Sequence, residues 1–175
     1  MATDVHLNFS TYELGRDHPA IEVDTSEAVS RACLALFSKA KREIVIMSRD
    51  LDPKLFDNAE TSLALRQFLL QSRRARLRIL VKEPRTVAHK GHRILELTQR
   101  LTSFAEIRVP AAEFNNHNTA FVVADGTGVV YRGLADRYQA TVSFNDRLLA
   151  QETLRQFDEM WQSSSPAPSL RRISL

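Results

Sequence analysis

The chain reads as an α/β protein with one mixed β-sheet and helices on both of its faces. Three observations predict this. Helix-period and strand-period segments alternate from residue 27 onward. The early strands are short continuous apolar runs, the pattern of strands buried on both faces. The second half carries a hairpin signal, which only antiparallel neighbours can use.

Taken in order, Ser26 is expected to cap a helix over 27–41, whose Ala28, Val29, Ala32, Leu36 and Phe37 fall at helical spacing. "REIVIMSRD" then switches period, with Ile44 to Met47 as a buried strand. "DLDPKLFDN" reads as a loop around Pro53. A helix follows over 59–74, then the strand "RLRILVK", then a helix over 85–101 opened by Pro84. "AEIRVP" is a third strand. "TAFVVAD" and "VVYR" flank a turn at Gly126-Thr127-Gly128, "YQATVSF" is a further strand, and a last helix runs over 146–162. In domain terms, 1–20 is expected as an irregular N-terminal arm, 21–163 as the folded domain and 164–175 as a disordered Ser/Pro-rich tail.

A chain of 175 residues with 43% hydrophobic and 26% charged residues suits a single globular domain. No apolar run is long enough to span a bilayer, and no basic head followed by an apolar stretch marks the N-terminus. A cytoplasmic location is the expectation. Cys33 is the single cysteine, so neither an internal disulfide nor a thiolate metal cluster can form; it reads as a buried small hydrophobe. His89, His92 and Glu96 share a helix face, but Lys90 and Arg93 beside them oppose a cation. Neither a metal nor a cofactor is expected.

The formal charge of +3 is unevenly spread. From Arg73 to Arg100 there are nine Lys and Arg residues against two Glu, an excess of seven. Arg74, Arg76, Arg78, Lys82, Arg85, Lys90 and Arg93 are therefore candidates for binding an anion or nucleic acid, unless the run is a solvated face with its counter-charges elsewhere. In open α/β sheets, sites lie at the carboxyl ends of strands. Here those ends are Ser48-Arg49-Asp50, Lys82-Glu83 and Val109-Pro110.

The region from Glu27 to Trp161 resembles one repeat of the phospholipase-D-like superfamily, in its single-repeat bacterial form. "AVSRACLALFSKAKREIVIMSRDLDP" is similar to that family's first helix, strand and loop; "LRQFLLQSRRARLRILVKE" to its second helix and strand; "LAQETLRQFDEMWQ" to its terminal helix. "TAFVVADGTGVVYRGLADR" stands where the family keeps His-x-Lys-x-x-x-x-Asp followed by Gly-Ser-x-Asn. The resemblance implies an α-β-α sandwich and phosphodiester chemistry. A histidine attacks phosphorus, a lysine stabilises the phosphoryl charge, an aspartate orients the histidine, and a second motif supplies the general acid.

This chain departs from that motif. With Asp125 as the family aspartate, the lysine position is Ala120 and the histidine position Asn118; Gly133 matches the glycine, Leu134 replaces serine and Asp136 replaces asparagine. With His117 as the histidine, the other two positions become Thr119 and Ala124. Neither register supplies a lysine. The resemblance thus implies a degenerate motif and a catalytically inactive domain that binds an anionic ligand or a protein partner. Two alternatives stay open. One is a homodimeric phosphodiesterase or nuclease, in which His117, Asp125 and Arg132 converge with the help of a bulge. The other is a structural subunit that pairs with another enzyme.

Overall fold

The computed structural model describes residues 8–16 and 19–170. Its centre is an eight-stranded sheet ordered β1-β7-β6-β5-β2-β3-β4-β8 among the described residues. Strands β2 (Glu43–Ser48), β3 (Arg76–Val81) and β4 (Ala105–Val109) run parallel. The rest pair antiparallel: β5 (Ala120–Ala124) against β2, then β6 (Gly128–Arg132), β7 (Ala140–Ser143) and β1 (Ile21–Val23) beyond it, with β8 (Ser165–Pro166) closing the other side. The mixed sheet is therefore the one the sequence predicts.

Alternation along β2 builds two cores. Ile44 and Ile46 face the layer that holds α1 (Ser26–Lys39), α2 (Pro53–Phe56), α3 (Ala59–Leu70), α4 (Pro84–Lys90) and α5 (Arg93–Arg100), while Val45 and Met47 face α6 (Arg147–Gln162). Both sets are completely or almost completely buried, which is why the run is apolar without interruption. On the α6 side, Phe157 packs edge-on to Phe121 and stacks on Trp161.

Several boundaries differ from the sequence reading. Thr25, not Ser26, caps α1, its side chain accepting from the Ala28 amide. The loop after β2 contains the short helix α2, opened by Asp52 as cap and Pro53 at its first position. The helix expected over 85–101 is two helices. Gly91 takes φ +71°, and His92 caps α5 by accepting from the Ile94 amide through Nδ1. The turn after β5 has left-handed φ at both Asp125 (+53°) and Gly126 (+65°), the requirement of a tight hairpin, so Asp125 supplies half of it.

Both flanking segments are better packed than their composition suggests. In the expected arm, Phe9 is 2% exposed and meets Tyr12 and Phe144, while the Gly15 amide donates to the Phe144 carbonyl. Residues 1–7, 17 and 18 of that arm lie outside the described residues. In the expected tail, residues 165–166 pair with β4, Ala167 and Leu170 are buried, and Gln99 Nε2 donates to the Leu170 carbonyl. A buried aromatic or aliphatic anchor every few residues is enough to hold such a strap, and residue composition hides it. Residues 171–175 lie outside the described residues.

Phe9→Ala should therefore cost about 3–5 kcal/mol, the usual range for emptying a buried phenylalanine site. Urea unfolding would check this; a change below about 1 kcal/mol would mean the arm does not belong to the core.

Candidate functional site

Strand directions decide where a site can form. β2 and β3 end, β6 ends, and the approach to β5 begins at the same edge of the sheet. Arg49, Lys82, His117, Asn118, Thr119, Leu134, Ala135, Asp136 and Arg137 line a cleft of about 220 Å³ there. Two of the three strand ends named from the sequence thus contribute a cation each, Arg49 and Lys82.

Each wall is held by identifiable contacts. The Arg49 loop is pinned at Leu51, a fully buried residue at φ +52°. Its amide donates to Ser48 Oγ at 2.9 Å, and its carbonyl accepts from His92 Nε2 at 2.9 Å. With Nδ1 accepting from Ile94 and Nε2 donating to Leu51, His92 is a neutral imidazole with both nitrogens committed. Burial holds His92 below the ordinary imidazole value.

The opposite wall, residues 133–138, hangs on Arg132. Arg132 as a whole is 5% exposed, and its guanidinium donates to the Arg137 and Ala135 carbonyls, both at 2.8 Å, and stacks over the Tyr138 ring. The Tyr138 hydroxyl donates to Asp52 at 2.6 Å, which, with burial, pushes the phenol up to about 12. The Ala135 amide donates to the Asn118 carbonyl at 2.7 Å and ties this wall to the approach to β5. Arg132 therefore builds the site from behind, and its donors are spent on backbone.

The floor comes from β3. Lys82 Nζ donates to the Asn115 carbonyl at 2.7 Å and the His117 carbonyl at 2.5 Å. Burial, with the like charge of Arg49, lowers the Lys82 ammonium from its ordinary value. The His117 ring shares a hydrogen bond of 2.5 Å between Nε2 and Thr119 Oγ1. Burial first, and the Lys82 charge second, hold His117 low, so its imidazole is neutral at pH 7.

The motif positions separate. Asn118 and Asp136 are exposed in the cleft, and Gly133 is exposed beside it. Ala120 is buried and faces a small cavity with Cys33 and Arg132. Burial pushes the Cys33 thiol up to about 12, so it stays protonated. Asp125 lies at the other end of β5. Its carboxylate accepts from the amides of Lys41, Arg42 and Glu43 at 2.8–3.0 Å and locks the hairpin to the start of β2. β5 pairs in unbroken register on both sides, so no bulge shortens the path. At ~3.3 Å per residue the strand keeps His117 and Asp125 more than roughly 15 Å apart. The convergence of His117, Asp125 and Arg132 expected for an active enzyme is therefore not what this geometry provides.

The basic run is likewise divided. Lys82 enters the cleft. Arg78 lies under α6, paired with Glu43 at 3.2 Å and Asp158 at 2.9 Å and stacked on Phe157 and Trp161. Arg76 donates to the Arg73 and Ala75 carbonyls and covers Phe104. Arg93 pairs with Asp57 at 3.3 Å. Arg85 is exposed on α4, Arg74 is exposed at the far edge of the sheet, and the Lys90 side chain lies outside the described residues. Sequence reasoning missed Arg137 and met Thr119 only as a position where a lysine is lacking. Arg49 carried a signal, its place directly after a buried strand.

With this geometry in hand, comparison with known proteins adds three findings. A domain of unknown function, DUF7931, has a sequence model that matches residues 25–173. The chain belongs to this family. No curated protein matches it in sequence. Among solved structures, Nuc, a phospholipase D family member from Salmonella typhimurium, superposes with a TM-score of 0.62 at 16% identity, over 88% of this chain and 99% of that one. NucT from Helicobacter pylori gives 0.61 at 11%, over 85% and 99%. The archaeal chromatin protein TrmBL2, described with a novel mode of DNA binding, gives 0.62 at 12%, over 86% of this chain. The DUF7931 chain spans about half of TrmBL2, 55%. The fold is that of the phospholipase-D-like superfamily. Among the described residues, no helix is long and apolar enough to cross a membrane.

His92 provides a pH test of this framework. Its folded value lies below its unfolded value, so the unfolded chain binds protons first as pH falls. The stability it contributes is complete above pH ~6.5 and is lost below that. His92→Gln should be less stable at pH 7.5 but change less between pH 7.5 and 5 than the wild type, read from denaturation midpoints. An equal change in both would remove His92 from the linkage.

Proposed function

We propose that this DUF7931 chain is a phospholipase-D-like module that binds a small phosphate-bearing anion without hydrolysing it. One observation carries the reading. Arg49, Lys82 and Arg137 gather around the cleft, while Asn118 and Ala120 stand where the superfamily's motif has its nucleophile and its lysine. Cations at a cleft attract an anion whether or not chemistry follows. An amide forms no phosphohistidine equivalent, and a methyl group stabilises no phosphoryl charge. Nuc, a phospholipase D family member among the structural neighbours, supports phosphate as the ligand chemistry by likeness of fold.

A second reading rests on a specific pair of side chains. His117 is neutral and lies beside Lys82, a lysine delivered from β3 instead of β5. In that reading the chain is a diverged phosphodiesterase, with His117 as nucleophile and Lys82 as the stabilising cation. Against it, Lys82 spends donors on the Asn115 and His117 carbonyls, and the His117 ring is bonded to Thr119.

Two measurements on one sample separate these. Wild-type protein should show no hydrolysis of bis-p-nitrophenyl phosphate above buffer, and calorimetric titration should detect pyrophosphate binding. Arg49→Ala with Arg137→Ala should weaken that binding about tenfold or more, the loss expected for two charge-assisted contacts. Hydrolysis abolished by His117→Ala would establish the second reading, and absence of pyrophosphate binding would remove the first.

A further inference from the structure

The cleft occupies one edge of the sheet. At the opposite edge α1, α3 and α5 each deliver the chain to the start of a parallel strand, at adjacent positions in the sheet. The three connections carry Lys41 and Arg42, then Arg73 and Arg74, then Arg100 from the last turn of α5. All five are exposed. None is ion-paired with a carboxylate among the described residues. Of the acids nearby, Asp125 accepts from the backbone amides of Lys41, Arg42 and Glu43, with the Arg42 guanidinium reaching its carbonyl at 3.5 Å; Glu43 pairs with Arg78, and Asp146 accepts from the Leu149 amide at the start of α6.

These turns form one rigid shelf. Gln71 Nε2 donates to the Ala40 carbonyl at 2.9 Å, the Arg76 amide to the Arg42 carbonyl at 3.0 Å, and the Leu77 amide to the Phe104 carbonyl at 2.9 Å. Arg76 braces the shelf from within, over Phe104. Cations near a helix carboxyl end are stabilising in themselves, which accounts for Arg100. It does not account for Lys41, Arg42, Arg73 and Arg74, which lie beyond the helix ends.

We infer that this shelf is a docking surface for the phosphate backbone of double-stranded nucleic acid, separate from the cleft. Adjacent strands lie ~4.8 Å apart, so the three cationic turns span roughly 10 Å. That matches a few successive phosphates of a strand, which carries one charge every ~3.4 Å of duplex axis. Four of the five cations are arginines, whose forked donors fit phosphate oxygens in pairs. Among the described residues the shelf shows no free aromatic ring on which bases could stack, since Arg76 covers Phe104; this favours a duplex backbone over single-strand bases. Phosphate contacts alone carry no sequence information, so the binding is sequence-independent.

The test is fluorescence anisotropy with a labelled 20-base-pair DNA duplex between 50 and 200 mM NaCl. The wild type should bind with a steep salt dependence, each phosphate contact contributing about −0.9 to the slope of log K against log salt. Arg73→Ala with Arg74→Ala should cut the magnitude of the slope by about two and weaken binding at least about tenfold, with an unchanged melting temperature. Lys41→Ala with Arg42→Ala should act similarly, whereas Arg49→Ala with Arg137→Ala in the cleft should leave duplex affinity unchanged. Three outcomes overturn the inference. These are no duplex binding at 50 mM NaCl, shelf variants equal to wild type, or binding to anionic phosphatidylserine vesicles in place of DNA. None of them bears on pyrophosphate binding in the cleft, so the two proposals fail independently.

Discussion

Everything in this fold follows from the two different neighbours of β2. On one side it pairs in parallel with β3, on the other antiparallel with β5. The parallel side forces each return through a helix, so α1, α3 and α5 all end at the amino-terminal edge of the sheet. The antiparallel side brings the approach to β5 to the carboxyl edge, next to the residues that follow β2 and β3. A cleft assembled from three non-consecutive parts of the chain is the direct consequence, and so is a row of turns at the opposite edge.

Arg132 shows what the cleft demands of the interior. A buried guanidinium is expensive unless every direction of its charge is answered. Here the carbonyls of residues 135 and 137 and the face of Tyr138 answer it, and Asp52 and Asp50 lie near enough to favour the charged form. The same contacts shape the wall that carries Asp136 and Arg137. Leu51 makes a parallel case on the other wall. A buried leucine in the left-handed region persists only because its amide and carbonyl are both held, by Ser48 and His92. Leu51 and Arg132 both stand at this edge of the sheet, where the site is held open instead of packed shut.

Much of the fold was legible in the sequence because burial on both faces leaves an unmistakable run. Ile44 to Met47, the strand after Arg76 and the Asp125-Gly126 hairpin each announced themselves through period or turn chemistry. Less was legible of the candidate site. His92 reads as one more residue of a helical stretch, yet its imidazole caps α5 and breaks that stretch in two, a role that depends on the Leu51 carbonyl 41 positions away. Asp125 stood in register with Asn118 and one position out of register with His117, a gap that a bulge was expected to close, but a sequence motif does not say which end of a strand a residue occupies. Phe9 and Leu170 belong to segments whose polar and proline-rich composition masks single buried anchors.

The basic run from Arg73 to Arg100 teaches the same lesson about charge. A strand carries the chain from one edge of its sheet to the other, so a charge cluster that crosses a strand is divided between two surfaces. β3 takes Arg73 and Arg74 to one edge and Lys82 to the other, with Arg78 half-buried between them under α6 against Glu43 and Asp158. The surroundings of the two ends then differ in kind. Lys82 is partly buried beside a neutral imidazole in a cleft of about 220 Å³, which suits a phosphate with a small substituent. Arg73 and Arg74 stand on an open, braced edge with cations from two further turns alongside, which suits a ligand that is long and repeats its charge. The two surfaces therefore call for anions of different shape, and each can be tested without disturbing the other.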